Sequence, residues 1–489
     1  MRPSAGHDRL QHSCGVVEAA QRIISALEHN ADNRRRFGKD RDESVPEPNE
    51  LDVVATRLGA LLHDVGHSPF SHATEPVVRQ RFEAEFSAVE DVLRTTFDGV
   101  TGIATSETVA VLMVLSESMR KLFEHPLFEA CSERLSLGPA VAARLLGSRS
   151  CLHATYLSGV ISGPLDADKI DYMARDSYHA GLPLGLDITR LVSKLEIVTV
   201  TTDTAPNPEL RHRAQQAARQ RIYDVGISRA GMGAYEQMVI SRVILYDRLY
   251  YHHKIRAAEA MVRELISVAE AERDQPFELR SLYGHLTDDE AVDCLAGVVS
   301  NSQLRSGGPR AMALGTSIRH RRIYHRAFAF SSRFIAGLEG LSKAQANDTR
   351  GLRWPPVVRA VADAEQCRAL AKEIHAKALA IAKVLPQLED QVAALLGEHI
   401  IVDLPSDKLV VRGGDILTRT ESGEIGTPNL FFDPEKWSEA YTHQKQCGYV
   451  FCPEHAVPIV ALASCLAFHE RFSLTMSAEA SRSTNSGHA

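Results

Sequence analysis

One helix end constrains this chain more than any other stretch. Leu51, Val54, Leu58, Leu61, Leu62 and Val65 recur at helical spacing, which predicts an amphipathic helix whose leucine face enters a core, with Gly66 as its stop. The helix runs out through Leu61-Leu62-His63-Asp64-Val65 into Gly66-His67-Ser68-Pro69-Phe70-Ser71-His72. An ionised carboxylate beside imidazoles in a core is costly unless it is paired or bound to metal. A lone His-Asp pair is common as a surface or capping feature, and adjacent residues cannot close a metal site, so further ligands must come from other helices. Arg9-Leu10-Gln11-His12 offers one at the start of the first helix. The acidic run from Asp166 to Asp176 offers another, and its Asp168, Tyr172 and Asp176 share one helix face. Imidazole with carboxylate suits one divalent transition ion, Mn, Fe, Ni, Co or Zn, with geometry choosing among them.

The remaining pattern is helical. Val16, Ala20, Ile23, Ile24 and Leu27 mark a helix after His12; residues 29–50, with Arg34-Arg35-Arg36, read as a solvated loop open to a phosphate. Helical periodicity then dominates to about residue 395, interrupted by a β-branched strand at 195–201. Short strands are expected at 400–404, 409–412 and 448–452. The expected fold is mostly α: a helical core with a small mixed α/β C-terminal lobe, divided at 1–182, 183–330 and 331–489. A net charge of −7 over 489 residues gives no footprint for nucleic acid. Eight scattered cysteines predict reduced thiols and a cytoplasmic setting. No apolar run reaches the ~20 residues a membrane span needs. Cys447, Cys452 and His455 are poorly spaced for zinc and read as core residues.

Taken in order, RxxH, HDxGHxPFSH and DxDKxDYxxRDxYHxG make a specific set. The sequence resembles the HD-domain metal phosphohydrolases, and within them the dNTP triphosphohydrolases. The resemblance implies an HD helical core with His12, His63, Asp64 and Asp168 as metal ligands, and Arg9 near the substrate phosphates. It implies that Lys169 and Tyr172 contact the nucleotide and that Asp176 lies near the deoxyribose. The segment from Ser241 to His252 resembles the family's phosphate-and-base segment at Arg242, Tyr250 and His252. His67 is the candidate general acid/base beside Asp64, and Glu75 stands where an orienting carboxylate belongs. The implied reaction converts a deoxynucleoside triphosphate to deoxynucleoside and triphosphate, with Mg accompanying the triphosphate. A nucleotide activator and a homo-oligomer are further implied partners.

Two departures keep other readings open. The family carries a substrate-gripping Gln-Leu pair before RxxH, whereas Met1 stands almost inside the motif; the expectation is either an upstream start or a reduced sugar pocket. The family's Thr-His-Glu, whose histidine serves the leaving group, is matched by Thr105-Ser106-Glu107. Either the imidazole is lost there, or Ser106 caps a helix and His67 moves the proton. The competing functions are an HD phosphohydrolase acting on a monophosphate, cyclic nucleotide or alarmone, and a nucleotide-binding regulator with weakened chemistry.

Overall fold

Burial of small and β-branched faces organises the described residues into helices with two small sheets. The computed structural model describes residues 6–37, 45–100, 102–129, 131, 134–148, 152–217, 220–273, 277–283, 287–299, 307–338, 340–404, 416–420, 424–430, 432–477 and 479–481. Helices used below are α1 (Arg9–Phe37), α2 (Glu50–Leu62), α3 (Thr105–Val114), α4 (Leu137–Leu145), α5 (Ala167–Ala180), α6 (Met232–Leu245), α7 (His253–Arg273), α8 (Ala364–Val384) and α9 (Val457–Phe472). The strands are β1 (Leu195–Thr201), β2 (Arg221–Ser228), β3 (His325–Phe330), β4 (Ile401–Asp403), β5 (Leu417–Arg419), β6 (Ile425–Gly426) and β7 (Gly448–Cys452). The expected strand at 409–412 lies outside the described residues. The chain forms two compact units: residues 1–68, 78–245 and 411–437, and residues 69–77, 246–410 and 438–489.

In the first unit α1 packs on α2 and α5, and α2 packs on α4. Val16, Ala20, Ile23, Ile24 and Leu27 of α1 are all buried, as their spacing predicts. The helix continues to Phe37, so residues 29–37 are not the loop expected from their polarity. The reason is tertiary. Asn30 donates to the Ser193 and Leu195 carbonyls, and Arg34 pairs with Glu196 and donates to the Ile197 carbonyl. Arg35 pairs with Asp32 and Glu47, so Arg34 and Arg35 both serve structure.

The buried face of α2 also differs from the leucine stripe. Leu51, Asp52, Ala55, Thr56, Gly59 and Ala60 are buried, while Leu61 and Val65 are 38% and 41% exposed. Small side chains let neighbouring helices approach closely, and that outweighs the area leucine would bury. Asp52 is sealed inside. It accepts from Arg144 of α4 at 3.1 Å and from the His153 and Ala154 amides at 3.2 and 2.9 Å. Burial drags the Arg144 guanidinium down to about 10 despite the opposing pull of Asp52.

The first unit's sheet runs β1-β2-β5-β6, with β1 and β2 antiparallel from Leu195 opposite Ile227 to Thr201 opposite Arg221. β5 joins β2 in parallel. The second unit holds the order β3-β7-β4, flanked by α8 and α9, with Phe328, Phe330 and Phe468 at its centre. Arg256 and Arg263 of α7 both hold Asp403 of β4. The architecture is mostly α with small sheets, as expected. β2 and β3 were not legible, because a short strand buried on irregular positions reads like a piece of buried helix. The described cysteines are all free thiols, with Cys447 and Cys452 buried. Among the described residues no helix is long and apolar enough to cross a membrane.

Candidate metal centre

Each donor of the centre comes from a helix terminus of the first unit. His12 lies in the first turn of α1, and His63 is the C-cap of α2 with Asp64 following it. Asp168 is the second residue of α5, whose N-cap Asp166 accepts from the Lys169 amide at 2.8 Å. The positive end of a helix favours a carboxylate there.

The outer nitrogens of the two imidazoles determine where the inner ones point. His63 Nδ1 donates to the Ala60 carbonyl at 2.8 Å, and His12 Nδ1 donates to Asp171 Oδ2 at 2.8 Å. Both Nε2 atoms therefore face inward. His12 Nε2 lies 3.1 Å from Asp168 Oδ1 and 3.8 Å from Asp64 Oδ2. His63 Nε2 lies 3.3 Å from Asp64 Oδ1 and 3.7 Å from Asp168 Oδ1. The ligand atoms of His12, His63 and Asp64 fall within 4.8 Å of one another.

Such a set needs a cation. Two carboxylates facing two imidazole nitrogens are held together only by protons or by metal. Burial opposes charge on His12, yet its bonds to Asp168 and Asp171 push it up to about 10. His63 is likewise raised against burial by Asp168 and Asp64, and Asp168 is lowered against burial by His12 and His63. Even so, His63 Nε2 is buried without a hydrogen-bond partner of acceptable geometry. An orphaned imidazole nitrogen beside two carboxylates fits a divalent transition ion.

His67 joins through Asp64: its Nε2 lies 3.2 Å from Asp64 Oδ1, with the side chain only 8% exposed. Arg9 donates to the Ser68 carbonyl at 3.3 Å, which places it at the end of the His63–Ser68 segment. On α5, Lys169 pairs with Asp166 and donates to the Gly163 carbonyl at 3.1 Å. Tyr172 lies one turn on from Asp168, and Asp176 another turn on, 2.9 Å from His7 Nε2. Arg242 lies on α6. Glu75, Tyr250 and His252 belong to the second unit, where Glu75 pairs with His72 at 3.1 Å and Tyr250 packs on Tyr246 within a π-helical turn.

Ser106 is not a helix cap. α3 begins at Thr105 behind Ala104, whose amide donates to the Glu107 carboxylate at 2.8 Å, so Ser106 lies buried in the first turn. Gly66 has a different role from the stop assigned to it. A Cβ there would sit 2.0 Å from the Ser106 carbonyl oxygen and 2.4 Å from the Ala110 nitrogen. The glycine lets the His63–His67 segment lie directly against α3.

Asp171 and His7 were missed as neighbours of the site. Asp171 stands three residues beyond Asp168, a spacing that places it on nearly the same face, and only that signal could have found it. Nothing in the sequence pairs His7 with Asp176.

Residues 9–106 match the HD domain family, a stretch that holds His12, His63, Asp64 and His67. The chain carries an HD domain. The deoxynucleoside triphosphate triphosphohydrolase SAMHD1 of Danio rerio is 25% identical over 344 residues, 66% of this chain and 48% of its own length. Uncharacterized proteins matched in sequence include YwfO of Bacillus subtilis, 25% identical over 56% of this chain and 47% of its own, and a Methanocaldococcus jannaschii protein, 26% identical over 54% and 40%. The chain thus spans under half the length of these relatives. A solved phosphohydrolase from Bacteroides thetaiotaomicron shares the fold, with a TM-score of 0.54 and 17% identity, over 93% of this chain and 89% of that one. Asp168, whose Oδ1 lies 3.1 Å from His12 Nε2, falls beyond the matched residues.

Proposed function

We propose that this protein hydrolyses deoxynucleoside triphosphates to deoxynucleoside and triphosphate at the centre formed by His12, His63, Asp64 and Asp168. The observation that carries the reading is the convergence of both imidazole Nε2 atoms and two carboxylates, with His63 Nε2 left without a hydrogen-bond partner. A divalent transition ion held there supplies Lewis-acid polarisation of a phosphoryl oxygen and a lowered pKa for water. Arg9, Lys169 and Arg242 balance the triphosphate charge, which is the main electrostatic demand of phosphoryl transfer. Lys169 must exchange its partner Asp166 for phosphate to do so. His67 moves the proton at its Nε2, where Asp64 orients it. Tyr172 and Asp176 share the α5 face of Asp168 and close on the sugar. Some relatives bear the name deoxynucleoside triphosphate triphosphohydrolase, which favours this substrate over other nucleotides.

The test is inorganic triphosphate release from each dNTP and its ribonucleotide at matched concentration with Mn and Mg supplied. We expect triphosphate from dNTPs, because a site shaped to the deoxyribose rejects an added hydroxyl. Preference for ribonucleotides, or release of phosphate alone, moves the function to another HD phosphohydrolase. Light scattering with and without dNTP tests the nucleotide activator and the homo-oligomer. The alternative is a nucleotide-binding regulator, and nucleotide binding without turnover would select it.

A further inference from the structure

His12 is tied to a second carboxylate that holds no place among the four donors. Asp171 Oδ2 accepts from His12 Nδ1 at 2.8 Å, on the ring edge opposite the converging donors. Arg175, one turn further along α5, clamps that carboxylate with two bonds: Nε to Oδ2 at 2.8 Å and Nη2 to Oδ1 at 2.9 Å. A paired, forked guanidinium fixes the plane of the carboxylate as well as its position. Room for the clamp comes from Gly15 on α1. A Cβ at that position would sit 1.9 Å from Asp171 Oδ1 and 2.3 Å from Arg175 Nη2.

These contacts form one chain of constraint. α5 brings Asp168 to the centre and, three residues later, brings the carboxylate that orients the imidazole from α1. The hydrogen bond to Nδ1 fixes the tautomer, so the Nε2 lone pair is the one presented inward, and a carboxylate on the far nitrogen raises the basicity of the ring. We infer that Asp171 is a positioning residue for metal binding by His12, clamped by Arg175 and given its space by Gly15. The inference rests on the reading of His12 as a metal ligand.

The experiment titrates Mn2+ into the metal-free full-length chain and follows free Mn2+ by its electron paramagnetic resonance signal. Four proteins are compared: wild type, Asp171→Ala, Asp171→Asn and Gly15→Ala. Asp171→Ala should weaken Mn2+ affinity by about 10- to 100-fold, the usual effect of removing an outer-shell partner. Asp171→Asn keeps an acceptor of the same shape, so it should recover part of that loss. Gly15→Ala touches no donor atom. The atoms nearest the added methyl belong to the side chains of Asp171 and Arg175 and not to backbone, so the carboxylate is pushed off His12, and the affinity should fall as in Asp171→Ala. A merely structural role would lower the melting temperature of the metal-free variants and leave Mn2+ affinity alone. Wild-type binding that Asp171→Ala and Gly15→Ala both leave unchanged overturns the inference while sparing the metal centre. A wild type that takes up no Mn2+ overturns the inference together with the reading beneath it.

Discussion

Gly66→Ala should destabilise the first unit more than any other single methyl added near the site. The new Cβ would lie 2.0 Å from the Ser106 carbonyl oxygen and 2.4 Å from the Ala110 nitrogen, where ordinary contact begins at about 3.5 Å. Both atoms are backbone in the first turns of α3, so no rotamer change relieves the overlap and the helix must retreat by about 1 Å or more. Overpacking of this kind costs typically 1–3 kcal/mol. Restricting the unfolded chain returns about 0.4–1 kcal/mol to any Gly→Ala change. Taking the upper end of the first range leaves a net loss of about 2 kcal/mol. For a unit of roughly 260 residues that corresponds to about 4 °C of melting temperature. The assay is a thermal melt followed by circular dichroism, with Gly233→Ala as control, since a Cβ there meets nothing within 4 Å. A Gly66→Ala melting point within about 1 °C of wild type would refute the close-approach argument, since the restriction term offsets only about 0.4–1 kcal/mol.

Further outcomes follow from the same geometry. Metal analysis should find about one equivalent of a transition ion in the wild type and loss of it in His63→Ala and Asp64→Ala; equal content in all three would end the metal reading. Triphosphate release should fall by roughly 10²–10⁴ in His67→Ala, the usual contribution of a positioned proton carrier. Ser106→His should lower the melting temperature without speeding turnover, because an imidazole overpacks a buried position in the first turn of α3; a rate gain would place position 106 at the leaving group. Burial, aided by His252 and Arg326, lowers His253 to about 4. Between pH 6.5 and 4 the unfolded chain takes a proton that the folded chain refuses, so stability is full above that window and declines as pH falls through it. His253→Gln should flatten the fall in melting temperature over that window, and an unchanged slope would contradict the assignment.

The clustering of His12, His63, Asp64 and Asp168 was legible because their chemistry conflicts with their setting. His63 and Asp64 sit on a helix end that must be seated in a core, and buried charge demands a partner. The face shared by Asp168, Tyr172 and Asp176 followed from helical period alone, as did the α1 core residues, and strand β1 followed from its β-branched run. What the sequence left undetermined is whatever depends on a neighbour distant in the chain. The polar end of α1 is helical because Asn30 and Arg34 find carbonyls at the edge of β1. The buried side of α2 is its small-residue face, because the spacing to other helices selects by shape as well as hydrophobicity. Asp52 of α2 is buried because Arg144 and two amides, all far along the chain, enclose it. Asp171 looked like one acid in a run of acids; only the crossing of α1 over α5 sets it against His12. Period and composition determine which faces must be buried, but the pairing of one buried polar group with another is decided by the three-dimensional crossing of their helices, where a shift of about 1 Å makes or breaks the bond.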